Sequence, residues 1–334
     1  MAVKKPTIKD VAKAAGVSTA TVGRYIGKYG YVSESKQALL KETIESLGYI
    51  PNGIAQGLRT ANYRTIGIVL GSIQNPFFSV MLNSIEEAAN KLGYTTIVCN
   101  SQESVAREKK LLRMLYEKRV NGIILSSAHR YQERVSDEDV GLYENDIPIV
   151  LVDRRLDGIK APVVSIDNRL GGYIGMRYLL EMGHTAVGII APQEFSTVEA
   201  RISGCKEALD EFGIPFCGKR LFRYYNQQES MEKWLARNQD LHAFFTLNSE
   251  SLADLIKNLY SRIIRKNDIT IMNWDDCSLA QIFKCPVIEQ PVKEMGEIAV
   301  AKLCNIIENG KNNVNMQSRS LMAHLLERGN NDSV

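Results

Sequence analysis

The chain has 334 residues, of which 24% are charged and 45% hydrophobic. That length suggests two or three domains, and the composition excludes collagen-like, mucin-like and wholly disordered chains. The net charge of +3 is a sum of unlike parts: residues 1–64 hold ten Lys/Arg against four acids, or +6, while the other 270 residues sum to −3. A basic head on a mildly acidic body suggests a polyanion-binding module joined to something else; a solvated basic face is the plainer alternative. No apolar run reaches the ~18–20 residues that span a bilayer, and no apolar segment of a secretory signal follows Met1. Six scattered cysteines form no C-x-x-C pair and the four histidines lie far apart. Reduced thiols in a cytoplasmic protein, with no metal and no cofactor, are therefore expected.

Thr7-Ile-Lys-Asp10 opens the first predicted helix, with Thr7 as cap and Asp10 as the acid three residues on. Ile8, Val11, Ala12 and Ala15 recur at helical spacing and Gly16 ends the run. Ser18 caps a second helix over 19–28. Ser33 caps a third, whose Leu39, Leu40, Ile44 and Leu47 supply an apolar face up to Gly48. Two helices joined by a short glycine turn form a helix-turn-helix pattern. Its second helix enters the major groove in that motif. Thr19, Ala20 and Arg24 then share a face toward the bases, where an arginine grips guanine bidentately and Ala20 offers apolar contact only. Thr7, Ser18 and Thr21 suit phosphate. Lys28 adds a further basic contact.

The string Thr7-Ile-Lys-Asp-Val-Ala-Lys-Ala-Ala-Gly-Val-Ser-Thr-Ala-Thr-Val22 resembles the N-terminus of the LacI/GalR family of bacterial transcription regulators. Leu47-Gly-Tyr-Ile-Pro-Asn-Gly-Ile-Ala-Gln-Gly-Leu-Arg59 is similar to that family's hinge. The resemblance implies that Asn52–Arg59 orders as a short helix on the operator. Leu58 then wedges between bases in the minor groove, with Asn52, Ala55 and Arg59 beside it. So short a helix, holding Gly53 and Gly57, does not persist alone. Two departures stand out. Gly23 and Gly27 replace the serine and asparagine usual in the family, which predicts a weaker head or an unusual operator.

From Arg64 onward strands and helices alternate. Strands are predicted over 65–70, 95–99, 122–126 and 147–152, with helices over 77–92, 105–118 and 135–144 between them. Asn75-Pro76 marks a helix start. A second round follows: helices over 168–182, 196–212, 227–237, 249–264 and 292–308, with strands over 186–190, 220–222, 242–246 and 269–273. Such alternation means parallel sheets with helices on both faces, and ligands beyond the carboxyl ends of the strands. The expected fold is thus α/β, an all-α helix-turn-helix head on a core of two parallel-sheet subdomains. The expected domains are 1–51, a hinge at 52–63 and a core at 64–334, with crossover strands near 165 and 290.

The resemblance extends here through Ile73-Gln-Asn-Pro-Phe-Phe78, Val152-Asp-Arg-Arg155, Arg201-Ile-Ser-Gly204 and Val287-Ile-Glu-Gln-Pro291. It implies a core similar to periplasmic sugar-binding proteins, an effector in the cleft and a homodimer on pseudo-palindromic double-stranded operator DNA. Effector contacts are expected from Asn75, Phe77, Phe78, Asp153, Arg154, Thr197, Arg201, Asn248, Trp274, Asp275 and Gln290. Carboxylates, an arginine and aromatic platforms suit a sugar or sugar derivative. Tyr224 or Tyr225 adds an aromatic of undetermined register. Asn248-Ser249 and Asn273 depart from the family's Asn-Asp and Gly, which points to an atypical effector. A repressor of carbohydrate or related small-metabolite genes is the leading reading. Control by a protein partner, or by a non-sugar effector, stays open. An enzyme is disfavoured because no G-x-G-x-x-G, P-loop or G-x-S-x-G occurs in place. A transport-type binding protein is disfavoured by the head.

Overall fold

Three short helices, α1 (Ile8–Ala14), α2 (Thr19–Gly27) and α3 (Glu34–Leu47), build the N-terminal unit. The computed structural model describes residues 6–27, 29–49, 64–224, 230–266, 269–311 and 315–328. It divides into Met1–Tyr63 and Arg64–Val334. Gly16 and Gly48, at φ 62° and 59°, supply the left-handed turns that end α1 and α3. Val11, Val22 and Leu40 are fully buried at the centre, with Ala12, Ala15 and Val32 around them. The apolar face of α3 is narrower than its sequence suggests. Leu39 and Leu47 are 44% and 38% exposed, while Leu40 and Ile44 face inward and Tyr49, beyond the Gly48 turn, packs against the same core.

The second unit holds two six-stranded sheets of matching order. The first comprises β1 (Thr65–Leu70), β2 (Thr95–Asn100), β3 (Gly122–Leu125), β4 (Ile149–Val152), β5 (Val163–Ile166) and β11 (Arg319–Leu321). Its order is β11-β5-β4-β3-β1-β2, and every pair is parallel. The second comprises β6 (Val187–Ala191), β7 (Leu221–Arg223), β8 (Ala243–Thr246), β9 (Thr270–Trp274), β10 (Val287–Glu289) and β12 (His324–Leu326). It runs β12-β10-β9-β8-β6-β7, with only β12 antiparallel. The fold is therefore α/β, with a helical head and two parallel-sheet subdomains.

Alternation along β1 shows how each sheet is covered on both faces. Ile66, Ile68 and Leu70 join the core beneath α4 (Pro76–Lys91) and α12 (Val292–Asn309). Val69 points the other way, into the core beneath α5 (Val105–Glu117). The chain passes between the sheets after β5, through α7 (Asn168–Glu181), and again after β10. A third passage, from β11 to β12, has no counterpart in the sequence pattern. Both strands are three residues long, too short to show a period.

The helix expected over 135–144 is a single turn, α6 (Val140–Tyr143). Val135 instead donates its amide to Asp157 O at 3.1 Å, and Ser136 Oγ donates to Asp139 at 2.8 Å. The first bond commits a backbone amide outside any helix, and the second accompanies a turn in which the Asp139 and Val140 amides donate to Ser136 O. The helix expected over 227–237 is described as α9 (Met231–Arg237). In the second subdomain α7 packs on α8 (Ser196–Glu211) with almost no gap: a Cβ on Gly204 would stand 1.9 Å from Arg169 O.

Candidate functional site

The candidate nucleic-acid surface lies on α2. Thr19, Ala20 and Arg24 are exposed and share one face of the helix. The hydroxyls expected to meet phosphate are already engaged at helix starts. Ser18 Oγ accepts from the Thr21 amide at 3.1 Å and pairs with the Thr21 hydroxyl at 2.9 Å. Thr7 donates to Asp10 Oδ2 from its amide at 2.8 Å and its hydroxyl at 2.7 Å. Gly27 has a local reason: its missing Cβ would stand 2.5 Å from the ring of Tyr29, which lies over the end of α2. Lys28, Asn52, Ala55, Leu58 and Arg59 lie outside the described residues.

A cavity of about 600 Å³ opens at the carboxyl ends of the strands of both sheets. It brings together Asn75, Phe77, Phe78, Asp153, Arg154, Thr197, Arg201, Asn248, Asp275 and Gln290. Asn75 caps α4 by accepting from the Phe77 amide at 3.0 Å, which turns Phe77 and Phe78 edge to face at the cavity wall, 5.1 Å apart. Thr197 stands in the first turn of α8, and Arg201 follows one turn later.

Trp274 is the exception. It is fully buried and does not line the cavity. Along β9, Met272 and Trp274 point into the core while the next residue, Asp275, turns out to the cavity. The indole stacks on Phe245 and forms a floor under Arg201, whose guanidinium carbon sits 3.9 Å from the ring centroid. A Cβ on Gly171 would meet that ring at 2.6 Å. Tyr224 also lies off the cavity, edge to face with Phe222, and Tyr225 is outside the described residues.

Arg154 departs from its expected contact with ligand hydroxyls. Its fork is filled by Glu103, at 2.6 and 3.0 Å, and Nη1 also donates to Ser127 O at 3.0 Å. The guanidinium is sandwiched by Phe195, 3.5 Å to the centroid, and Phe78 at 5.4 Å. Both are cation–π distances. Arg201 is held by Asn168 Oδ1 at 2.8 Å and Leu247 O at 2.6 Å. Burial pulls it down to about 10 despite the nearby carboxylates of Asp275 and Asp153. Burial pushes Asp275 up to about 6, against the opposing pull of Arg201 and of Gln290, whose Nε2 donates to Oδ1 at 2.6 Å. Asp153 is raised by burial too, with Arg154 and Arg201 opposing.

Glu103, Gln193, Phe195 and Glu250 also line the cavity and were not singled out by sequence. Each sits just past a strand end, so position alone marked the segments. Glu103 follows Gln102 in two successive left-handed conformations, φ 53° and 55°. Such a turn is rare for side-chain-bearing residues and leaves no sequence signature. Its carboxylate fills the space beside Gly71, where a Cβ would lie 2.2 Å from Oε1.

Comparison with known proteins agrees along the chain. Residues 7–52 match the family description "Bacterial regulatory proteins, lacI family". Residues 63–239 match "Periplasmic binding proteins and sugar binding domain of LacI family". Residues 176–329 match "Periplasmic binding protein-like domain". The HTH-type transcriptional repressor PurR of Aliivibrio salmonicida (strain LFI1238) is 32% identical over 313 residues, covering 91% of this chain and 92% of the relative. The HTH-type transcriptional regulator DegA of Bacillus subtilis (strain 168) is 32% identical over 301 residues, covering 87% and 88%. Among solved structures, the Lac repressor dimer bound to operator and the anti-inducer ONPF superposes with a TM-score of 0.81 at 21% identity, covering 97% of this chain and 98% of that one. A complex of the transcriptional regulator CelR with cellobiose has a TM-score of 0.69 at 25% identity, covering 97% and 100%.

Proposed function

The chain belongs to the LacI family of bacterial regulatory proteins, and we propose that it is a repressor of carbohydrate or related small-metabolite genes. As a member of that family it is a DNA-binding transcriptional regulator, and the family's proteins are regulators rather than enzymes. No helix among the described residues is long and apolar enough to cross a membrane. In our reading a small polyhydroxylated effector binds between the subdomains and changes affinity for a pseudo-palindromic operator. One observation carries it: Asp153 from the first subdomain and Arg201, Asp275 and Gln290 from the second converge on one cavity beside Phe77 and Phe78. Paired acceptors next to aromatic walls suit sugar hydroxyls and the apolar face of a sugar ring. The cellobiose complex of CelR, a relative in fold, agrees with that class.

On this reading residues 1–51 dock on DNA with Arg24 toward guanine, 52–63 link the head to the core at 64–334, and Leu58 wedges into the minor groove. Two heads of a cytoplasmic homodimer reach two half-sites, and linkage raises affinity. The test is selection of bound sequences from random duplex DNA by the purified protein, with and without a sugar panel. A pseudo-palindromic site whose enrichment changes with one sugar is expected. An enriched site indifferent to every small molecule favours control by a protein partner and defeats the effector reading.

A further inference from the structure

We propose that the effector carries a protonated amine among its hydroxyls, as an amino sugar or aminocyclitol does, and carries no phosphate or carboxylate. This rests on reading the cavity as the effector site. Among its described lining residues are four carboxylates, Glu103, Asp153, Glu250 and Asp275, against two guanidinium groups, Arg154 and Arg201. Most of the donors of those cations are spent, and Arg154 Nε, which makes no hydrogen bond, stands 3.4 Å from Asp153 Oδ2. Glu103 and Ser127 O occupy the Arg154 fork, and Asn168 and Leu247 O occupy two nitrogens of Arg201. An incoming anion would thus meet an excess of negative charge and few free donors.

The wall also holds acceptors without partners. Gln290 is only 6% exposed, and its Nε2 is spent on Asp275 Oδ1. Its Oε1 has no hydrogen-bond partner, and neither has Oε1 of Gln193 on the same cavity. Buried acceptors left unpaired call for donors from whatever fills the space. An ammonium brings three donors and no acceptor, and each hydroxyl can add one more. The raised carboxyls of Asp275 and Glu250 agree, since both are held up by burial and by like charge, Asp153 in the first case and Glu103 in the second. A cation beside Asp275 joins Arg201 in favouring its ionised form and draws a proton off it near pH 6.

The test is calorimetry on the full chain with glucosamine, galactosamine and mannosamine, each beside its N-acetyl derivative and its parent hexose, and with glucose 6-phosphate. At least one free amine is expected to bind tenfold or more tighter than its N-acetyl and hexose counterparts, with the phosphate weakest. Its binding at pH 6 should release protons, read from the buffer dependence of the heat. Glu250→Gln, at the cavity rim, should shrink the amine-over-N-acetyl ratio at least threefold. A hexose or N-acetyl sugar binding as tightly as its amine overturns the amine but leaves the sugar-effector reading standing; so does tightest binding by the phosphate. Binding by no sugar at all overturns both.

Discussion

Asp153 and Asp275 are structural equivalents in the two subdomains. Each follows the third strand from the same edge of its sheet, β4 or β9, and each adopts a left-handed backbone, φ 65° and 73°. Each donates its amide to the neighbouring strand, Asp153 to Val164 O at 2.9 Å and Asp275 to Ile288 O at 3.0 Å. The duplication sets two carboxylates against Arg201 at one cavity.

Asp275 should make stability depend on pH. A carboxyl held near 6 in the folded state and near 4 when unfolded favours the fold below the lower value, and that contribution is lost as pH rises through the upper. Asp275→Asn should therefore flatten the fall in stability between pH 4.5 and 7.5, by about 2 kcal/mol across the range. Melting curves at half-unit steps measure it. Parallel profiles for the two proteins would contradict the assignment.

The Glu103–Arg154 pair should be structural as well as cavity-lining. Glu103→Gln takes the charged partner from a buried guanidinium that keeps Ser127 O and the nearby Asp153 carboxylate, so it should cost about 1.5–3 kcal/mol in urea unfolding. Gly71→Ala should act in the same direction by pushing the carboxylate off its seat. A loss below half a kcal/mol for both would show that the pair holds nothing in place.

Helix contact predicts a sharper effect at Gly204. Its added Cβ meets backbone oxygen rather than a movable side chain, so Gly204→Ala should destabilise the core by about 3 kcal/mol or more. Gly218 has open space around it, so Gly218→Ala should stay within about half a kcal/mol. Equal effects at the two positions would refute the close packing of α7 and α8.

In the head, Ser18→Ala should cost about 1 kcal/mol of stability by removing the cap on α2. Arg24→Ala should instead leave stability alone and lose about 1–3 kcal/mol of discrimination at a single guanine position. Binding to operator variants separates the two. A uniform loss across all sequences would make Arg24 a phosphate contact.

Much of this was legible in the chain. Ile66, Ile68 and Leu70 wrote β1, Asn75-Pro76 wrote the start of α4, and strand ends marked where polar side chains gather. Orientation was not legible. Trp274 and Asp275 are adjacent and of types that suit a pocket, yet the last strand residue faces the core while the left-handed turn after it carries the other to the cavity. Arg154 reads as free in sequence because its partner lies 51 positions earlier, in a turn without a signature. Strands β11 and β12 take their form from pairing with distant strands rather than from their own three residues each.

Occupancy of the cavity should control DNA binding. Fluorescence anisotropy of a labelled operator, selected as above, measures it directly, with and without saturating sugar or amino sugar. Operator Kd should change about 5–150-fold, the usual size of such coupling. An operator Kd that stays the same while calorimetry shows the cavity filled would contradict it.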